Sequence, residues 1–89
     1  MKVIVMHEDN HGMIGLAETF QDAVKYLIKH KWLDERFEVW QPNDETTTII
    51  EDLGIDWVEI ILGWDIQKFN EYFEGYFNFY TEEIFKAEE

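Results

Sequence analysis

The chain has 89 residues and no cysteine, so we expect one small domain, residues 1–89, stabilised by packing and hydrogen bonds rather than by disulfides. Apolar residues make up 46% of the chain, which excludes a disordered protein despite a formal net charge of −13. Because nucleic acid and anionic membranes would repel such a chain, we expect neither as a direct ligand.

The first predicted elements are the two strands of a β-hairpin. Residues 3–6 form an apolar and largely β-branched run, and residues 12–17 form a second extended stretch. The polar residues 8–11 between them are typical of a hairpin turn, in which Asn10 and Gly12 allow the bend.

A helix from Phe20 to Lys31 is predicted next. Thr19 is placed to act as its N-cap, and Asp22 lies three residues further on, as in an imperfect capping box. The apolar residues that follow recur at i, i+3, i+4 and i+7, the spacing of one helical face. These residues are Phe20, Ala23, Val24 and Leu27.

The middle of the chain is predicted to contain a strand and two short helices. Residues 37–40 alternate as a strand does, and Pro42 ends that strand because proline cannot donate to a ladder. Residues 48–53 are expected to form a short helix that ends at Gly54. Residues 57–62 form an apolar run whose period fits either a helix or a buried strand, and the helix is favoured.

The last part of the chain is predicted to form a helix and a strand. Asp65 caps a helix that Gly75 ends. Residues 76–85 are aromatic and alternating, which predicts a final strand that returns to the sheet. The apolar residues at helical spacing after the cap are Ile66, Phe69, Tyr72 and Phe73.

Together these elements predict an α+β fold in a single small domain. We expect an antiparallel sheet made of the N-terminal hairpin, the middle strand and the C-terminal strand, packed with about three helices. The expected core includes Val3, Val5, Phe20, Val24, Leu27, Val39 and Phe69.

Residues 7–11 match H-E-x-x-H, the zinc protease pattern in which two histidines one helical turn apart bind zinc and the glutamate acts as a general base. That chemistry needs a helix, whereas a β-branched run precedes this segment and Gly12 follows it. We therefore interpret the segment as a hairpin turn and predict no metal site. A metal-dependent enzyme that uses His7, Glu8 and His11 is the third and most distant hypothesis.

Other catalytic patterns are missing from the sequence. The chain has no serine and no cysteine, and its threonines have no partner histidine by motif. It has no glycine-rich phosphate loop and no EF-hand spacing, and Arg36 is its single arginine. We therefore predict that the protein is not an enzyme and needs no cofactor.

Residues 37–89 carry nearly all of the net charge. They hold 14 acids against Lys68 and Lys86, a balance of −12, whereas residues 1–36 hold six acids against five bases. Nine of the 22 residues in the range 64–85 are aromatic, more than one small core can readily bury. Exposed rings among carboxylates suit a protein interface, in which rings act as anchors and charge steers a basic partner.

Such an interface has two specific forms. In one, the carboxylates stand in for DNA phosphates and occupy the basic groove of a nucleic-acid enzyme. In the other, the aromatic face pairs with a second copy of the chain to form a homodimer. The alternative to both is an ordinary core with a solvated acidic surface that keeps a small protein soluble.

Residues 8–17, residues 23–28 and the pair Trp32-Leu33 resemble small acidic, largely uncharacterised proteins encoded by phages and prophages of Gram-positive bacteria. The similarity runs over most of the chain. It implies a mobile-element origin and a location in the host cytoplasm, and it carries over no site residues. The sequence has no signal-peptide pattern and no apolar run of membrane-spanning length, which also favours the cytoplasm. Phage proteins of this size and charge often bind and block a host factor, such as a restriction or CRISPR nuclease, so analogy favours an inhibitor.

The leading hypothesis is a non-catalytic acidic module that binds a protein with a basic surface and inhibits a host nucleic-acid-handling enzyme by nucleic-acid mimicry. The alternative is a homo-oligomeric accessory or structural protein. The predicted contact surface consists of Glu59, Asp65, Glu71, Glu74, Glu82 and Glu83, with Tyr76 and Tyr80 as anchors.

Overall fold

The structure, a computed structural model, describes residues 2–34 and 50–84. Within these ranges, three strands form one antiparallel sheet in the order β2-β1-β3, so the predicted α+β fold is confirmed. The predicted strand at 37–40 and the predicted core residue Val39 lie outside the described residues. The elements in chain order are β1 (Lys2–Glu8), β2 (Gly12–Ala17), α1 (Phe20–Lys29), a 3₁₀ helix (Glu51–Leu53), α2 (Trp57–Leu62), α3 (Ile66–Tyr72) and β3 (Phe77–Glu83).

The predicted hairpin is confirmed, and it contains an irregularity. Met6 lies opposite Gly15 and His7 lies opposite Met13, so Ile14 is an extra residue in β2, as in a β-bulge. Gly12 begins β2 with a φ of 78°, a left-handed conformation that glycine adopts without strain.

The predicted final strand is also confirmed, and it occupies the second edge of the sheet. β3 pairs antiparallel with β1 over its whole length, from Glu8 opposite Phe77 to Lys2 opposite Glu83. The strand is shorter than the predicted range 76–85. β1 is therefore the central strand, and both of its neighbours are edge strands among the described residues.

Helix α1 begins and ends through identifiable backbone contacts. The hydroxyl oxygen of Thr19 accepts a hydrogen bond from the N–H of Asp22 at 3.1 Å, which confirms the predicted N-cap. The helix ends at Lys29, two residues before the predicted end, because Lys31 adopts a φ of 64° that no α-helix accommodates.

The short helices after residue 50 follow the predicted order. Residues 57–62 form helix α2, and Asp65 is the N-cap of α3, with its carboxylate accepting the N–H of Lys68 at 2.8 Å. Asp56 precedes α2 but makes no side-chain capping bond. The short helix predicted for 48–53 is described from residue 50 onward, and Glu51–Leu53 of it form the 3₁₀ helix. No helix within 2–34 or 50–84 has the length and apolar character needed to cross a membrane.

The main core lies between the helices and one face of the sheet. Ile4 and Met6 are the β1 residues on this face. Phe69 of α3 stacks on Phe79 of β3, with ring centroids 4.2 Å apart and ring planes at 15°. The predicted core residues Phe20, Val24, Leu27 and Phe69 are buried in this cluster.

Val3 and Val5 are buried as predicted, but they do not belong to that cluster. Side chains alternate across a strand, so these two valines project to the opposite face of the sheet from Ile4 and Met6. The sequence prediction therefore chose buried residues of β1 but missed the pair that packs on the helices.

Gly15 allows α1 to lie close against β2. A Cβ atom at this position would lie 2.8 Å from ring carbons of Tyr26 and 2.9 Å from the terminal methyl of Met6. The Tyr26 ring is held in place by its hydroxyl, which donates to the carbonyl oxygen of Ile14 at 2.9 Å. The contact between α1 and β2 therefore has no room for a side chain here.

We predict that Gly15→Ala lowers the free energy of unfolding by about 1–3 kcal/mol, because the added methyl group overpacks this contact. Gly63→Ala is the matched control: its Cβ would meet the carbonyl oxygen of Ile60 at 3.5 Å, and its φ is −84°. The control should change stability by less than about 1 kcal/mol. Urea unfolding of the three proteins measures both effects, and wild-type stability in Gly15→Ala would contradict the packing argument.

Candidate acidic interface

The H-E-x-x-H segment lies at the end of β1 and in the hairpin turn, not on a helix. Because side chains alternate along a strand, His7 and Glu8 project to opposite faces of the sheet. The His7 ring lies 6.2 Å from the Tyr80 ring, whereas Glu8 Oε1 lies 2.5 Å from His11 Nδ1 and the His11 ring packs edge-on against Trp32. The two histidines do not converge, and residues 2–34 and 50–84 contain no group of three His, Cys, Asp or Glu side chains that could hold a metal ion.

Three of the predicted contact residues line one open groove between α3 and β3. They are Glu71 in α3, Glu74 two residues beyond the end of α3 and Tyr80 on the strand, and the groove has a volume of about 700 Å³. The described residues of its lining include no lysine or arginine, so together they carry a negative formal charge. We call it the α3–β3 groove, and its lining residues are Ile66, Gln67, Asn70, Glu71, Glu74, Tyr80 and Thr81.

Asn70 covers part of the exposed edge of β3. Its Nδ2 donates to the carbonyl oxygen of Phe79 at 2.8 Å, and its Oδ1 accepts the N–H of Phe79, also at 2.8 Å. The carboxamide thus bonds to Phe79 as the backbone of a neighbouring strand would. These two bonds tie the helix to the edge strand beside the stack of Phe69 on Phe79.

Three further predicted contact residues lie near this groove. Asp65 lines an adjoining groove of about 460 Å³ whose wall includes Thr81, a residue common to both grooves. Glu82 and Glu83 are exposed at the end of β3, beyond Thr81. Asp65, Glu82 and Glu83 therefore adjoin the α3–β3 groove but do not line it.

The other two predicted residues lie elsewhere. Glu59 is exposed on α2 and does not line the α3–β3 groove. Tyr76 is half-buried, packs against the core, and accepts the N–H of Asp9 at its backbone oxygen at 2.9 Å. Tyr76 is therefore a packing residue of the fold, and Tyr80, which is 40% exposed, is the more accessible of the two predicted anchors.

Three polar residues of the groove lining were not predicted from the sequence: Gln67, Asn70 and Thr81. Helical spacing provides a signal for Asn70, since it lies four positions after Ile66 and shares its flank of α3. Its bonding partner is nine positions away on a different element, and no local pattern specifies that contact.

The surroundings of α3 favour negative over positive charge at the groove. Lys68 directs its ammonium group towards the Trp64 ring, 5.6 Å from its centroid, and does not line the groove. Gln67 Nε2 donates to Glu71 Oε2 at 3.4 Å.

Burial and, second, the Asp52 carboxylate raise the pKa of the Tyr72 phenol above its ordinary value, so this phenol does not ionise at neutral pH.

The geometry thus defines an acidic, partly apolar groove beside an edge strand. Comparisons of the chain with protein-family models, curated proteins and solved structures gave no match. The functional interpretation rests on the chemistry and placement of the residues themselves.

We predict that Asn70→Ala lowers the free energy of unfolding by about 1–3 kcal/mol, because it leaves the N–H and carbonyl of Phe79 without partners in a partly buried position. The amide of Phe79 should also exchange with solvent faster, which NMR can measure. Asn78→Ala is the control, since Asn78 is exposed on the same strand, and it should cost less than about 0.5 kcal/mol. An unchanged exchange rate at Phe79 would refute the role of the carboxamide.

Proposed function

We propose that the protein is a non-catalytic acidic module that binds a protein with a basic surface. In this proposal it inhibits a nucleic-acid-handling enzyme of a bacterial host, in the manner of an anti-restriction or anti-CRISPR protein, by offering carboxylates where that enzyme binds phosphates. The observation that carries the proposal is the α3–β3 groove, in which Glu71 and Glu74 lie with no basic side chain among the described lining residues. The resemblance to phage-encoded proteins supports the host cytoplasm as the setting.

The carboxylates near the groove support mimicry. Glu71 lies in the last turn of α3, Glu74 lies two residues beyond the end of that helix, and both line the groove. Glu82 and Glu83 lie at the end of β3, where alternation directs their side chains to opposite faces of the sheet. A basic partner that reaches the groove therefore meets two carboxylates in its lining and two more on the strand beside it.

Charge outside the groove supports the same proposal at longer range. Residues 37–89 carry a balance of −12, which accelerates the approach of a basic partner. Salt screens such attraction over a Debye length of about 10 Å at 0.1 M. Binding by this mechanism must weaken as salt is raised.

We predict that the tagged protein captures a DNA- or RNA-processing enzyme from a Gram-positive bacterial lysate, and that rising salt elutes this enzyme. The double variant Glu71→Gln, Glu74→Gln should weaken the purified complex by about tenfold or more, because it removes the charge of the groove. Titration of the captured enzyme with each protein by calorimetry measures the change in Kd.

The matched control is Asp9→Asn, Asp22→Asn, which removes the same number of charges from the hairpin turn and α1. It should alter Kd much less than the groove variant. Binding that survives high salt, or equal losses in both double variants, would reject mimicry at the α3–β3 groove.

Self-association is a second candidate, and the face of the sheet opposite the helices favours it. Met13, Leu16 and Tyr80 on this face are 61%, 50% and 40% exposed. Because side chains alternate along the strands, Glu82 is the single carboxylate among the described strand residues that face this side. Two copies that meet through this face therefore experience little local charge repulsion. We call this surface the outer sheet face, and its strand positions are Val3, Val5, His7, Met13, Leu16, Asn78, Tyr80 and Glu82, of which Val3 and Val5 are buried.

Self-association predicts an apparent mass, measured by sedimentation velocity, that rises with protein concentration. It should also rise with salt, because salt screens the repulsion between two chains of charge −13. Leu16→Thr should abolish the rise, whereas Ile55→Thr, which removes a 97% exposed side chain outside this face, should not. A constant monomer mass under all conditions would exclude this candidate.

A further inference from the structure

The direction of the hydrogen-bonding groups along β3 follows from the contact with Asn70. The N–H and carbonyl of Phe79 both bond to this side chain, so they point away from β1. In an antiparallel ladder these groups point to the same side at every second residue. The N–H and carbonyl of Thr81 therefore also point away from β1, and no described residue bonds to them.

Asn70 illustrates which chemical group this edge accepts. Its carboxamide offers one donor and one acceptor side by side, as the backbone of an extended chain does. A peptide lying alongside β3 would place the same groups against Thr81, one ladder repeat beyond Phe79. This is the geometry of β-strand addition, in which backbone bonds supply affinity and side-chain contacts supply specificity.

The walls of the groove define the side chains of such a peptide. Thr81 lies in the α3–β3 groove with Glu71 and Glu74, and within residues 2–34 and 50–84 no lysine or arginine of the lining neutralises these two acids. Ile66 and Tyr80 add apolar surface in the same lining. A segment that alternates lysine or arginine with apolar residues complements both features.

We propose that the edge of β3 at Thr81 is a strand-addition site for an extended, lysine- or arginine-rich segment of the partner protein. This rests on the proposed function, because it names the part of a basic partner that enters the α3–β3 groove. Asn70 occupies the pairing position at Phe79 and so limits the added strand on that side.

A proline substitution tests the outward-facing edge of β3 without altering the hydrogen bonds between β3 and β1. Proline is tolerated on an edge strand where the missing N–H faces outward. Because the N–H of Thr81 points away from β1, Thr81→Pro removes the edge donor without removing a bond between β1 and β3. Thr81→Val is the matched control, since it keeps the N–H and a β-branched side chain.

The probe is a heptapeptide of alternating lysine and valine with blocked ends, titrated into each full-length protein by calorimetry. Thr81→Val should bind it within about twofold of the wild type, and Thr81→Pro should bind it about tenfold more weakly. In the wild type the peptide should also slow exchange of the Thr81 amide, as NMR would detect. Equal affinities for the proline and valine variants, or unchanged exchange at Thr81, would overturn the proposal.

The exchange measurement uses the unaltered chain, so it decides the question even if Thr81→Pro fails to fold. Failure of this inference also differs from failure of the proposed function. If the captured enzyme loses affinity for the Glu71→Gln, Glu74→Gln variant but binds Thr81→Pro as tightly as the wild type, strand addition is rejected and the acidic protein-binding module is supported. If the peptide pairs at Thr81 but the lysate yields no basic protein, the strand-addition site is supported and the proposed inhibitor function is rejected.

Discussion

The packing of Phe69 on Phe79 fixes α3 against the sheet, and the arrangement of the described surface depends on this contact. Both side chains are almost fully buried, at 0% and 1% exposure. Burial of one such side chain contributes about 1.5–3 kcal/mol, a large fraction of the stability of a small domain. Asn70 follows Phe69 directly and bonds to the backbone of Phe79. An apolar and a polar contact between the same neighbours thus set both the distance and the rotation of the helix, and with them the shape of the α3–β3 groove.

Local pattern was sufficient to predict the elements whose stabilising contacts are close in sequence. The capping of α1 by Thr19 and its apolar face follow from spacing alone, and so does the hairpin. The burial side of β1 could not be predicted in this way. Residues 3–6 are all apolar, so a period of two does not distinguish Ile4 and Met6 from their neighbours. The packing of the helices makes that distinction.

The same limit applies to the candidate site. Helical spacing places Gln67 and Glu71 on one side of α3, but only the tertiary fold brings Glu74, Tyr80 and Thr81 to them. The H-E-x-x-H pattern shows that a spacing can mislead when the element is wrong. This spacing forms a metal site on a helix, but on a strand it places His7 and Glu8 on opposite faces of the sheet. Net charge, by contrast, was fully readable from composition, since it does not depend on conformation.

The strand order also bears on how the chain acquires its structure. β1 leaves the ribosome long before its partner β3 is synthesised, since Lys2 pairs with Glu83 and Glu8 with Phe77. Until then the N-terminal hairpin is an isolated two-stranded unit, which is marginally stable in water. Pairings so distant in sequence raise the contact order and slow folding relative to the hairpin and α1. The described sheet is therefore completed late, and the nascent chain leaves one edge of β1 unpaired with β3 until β3 has been synthesised.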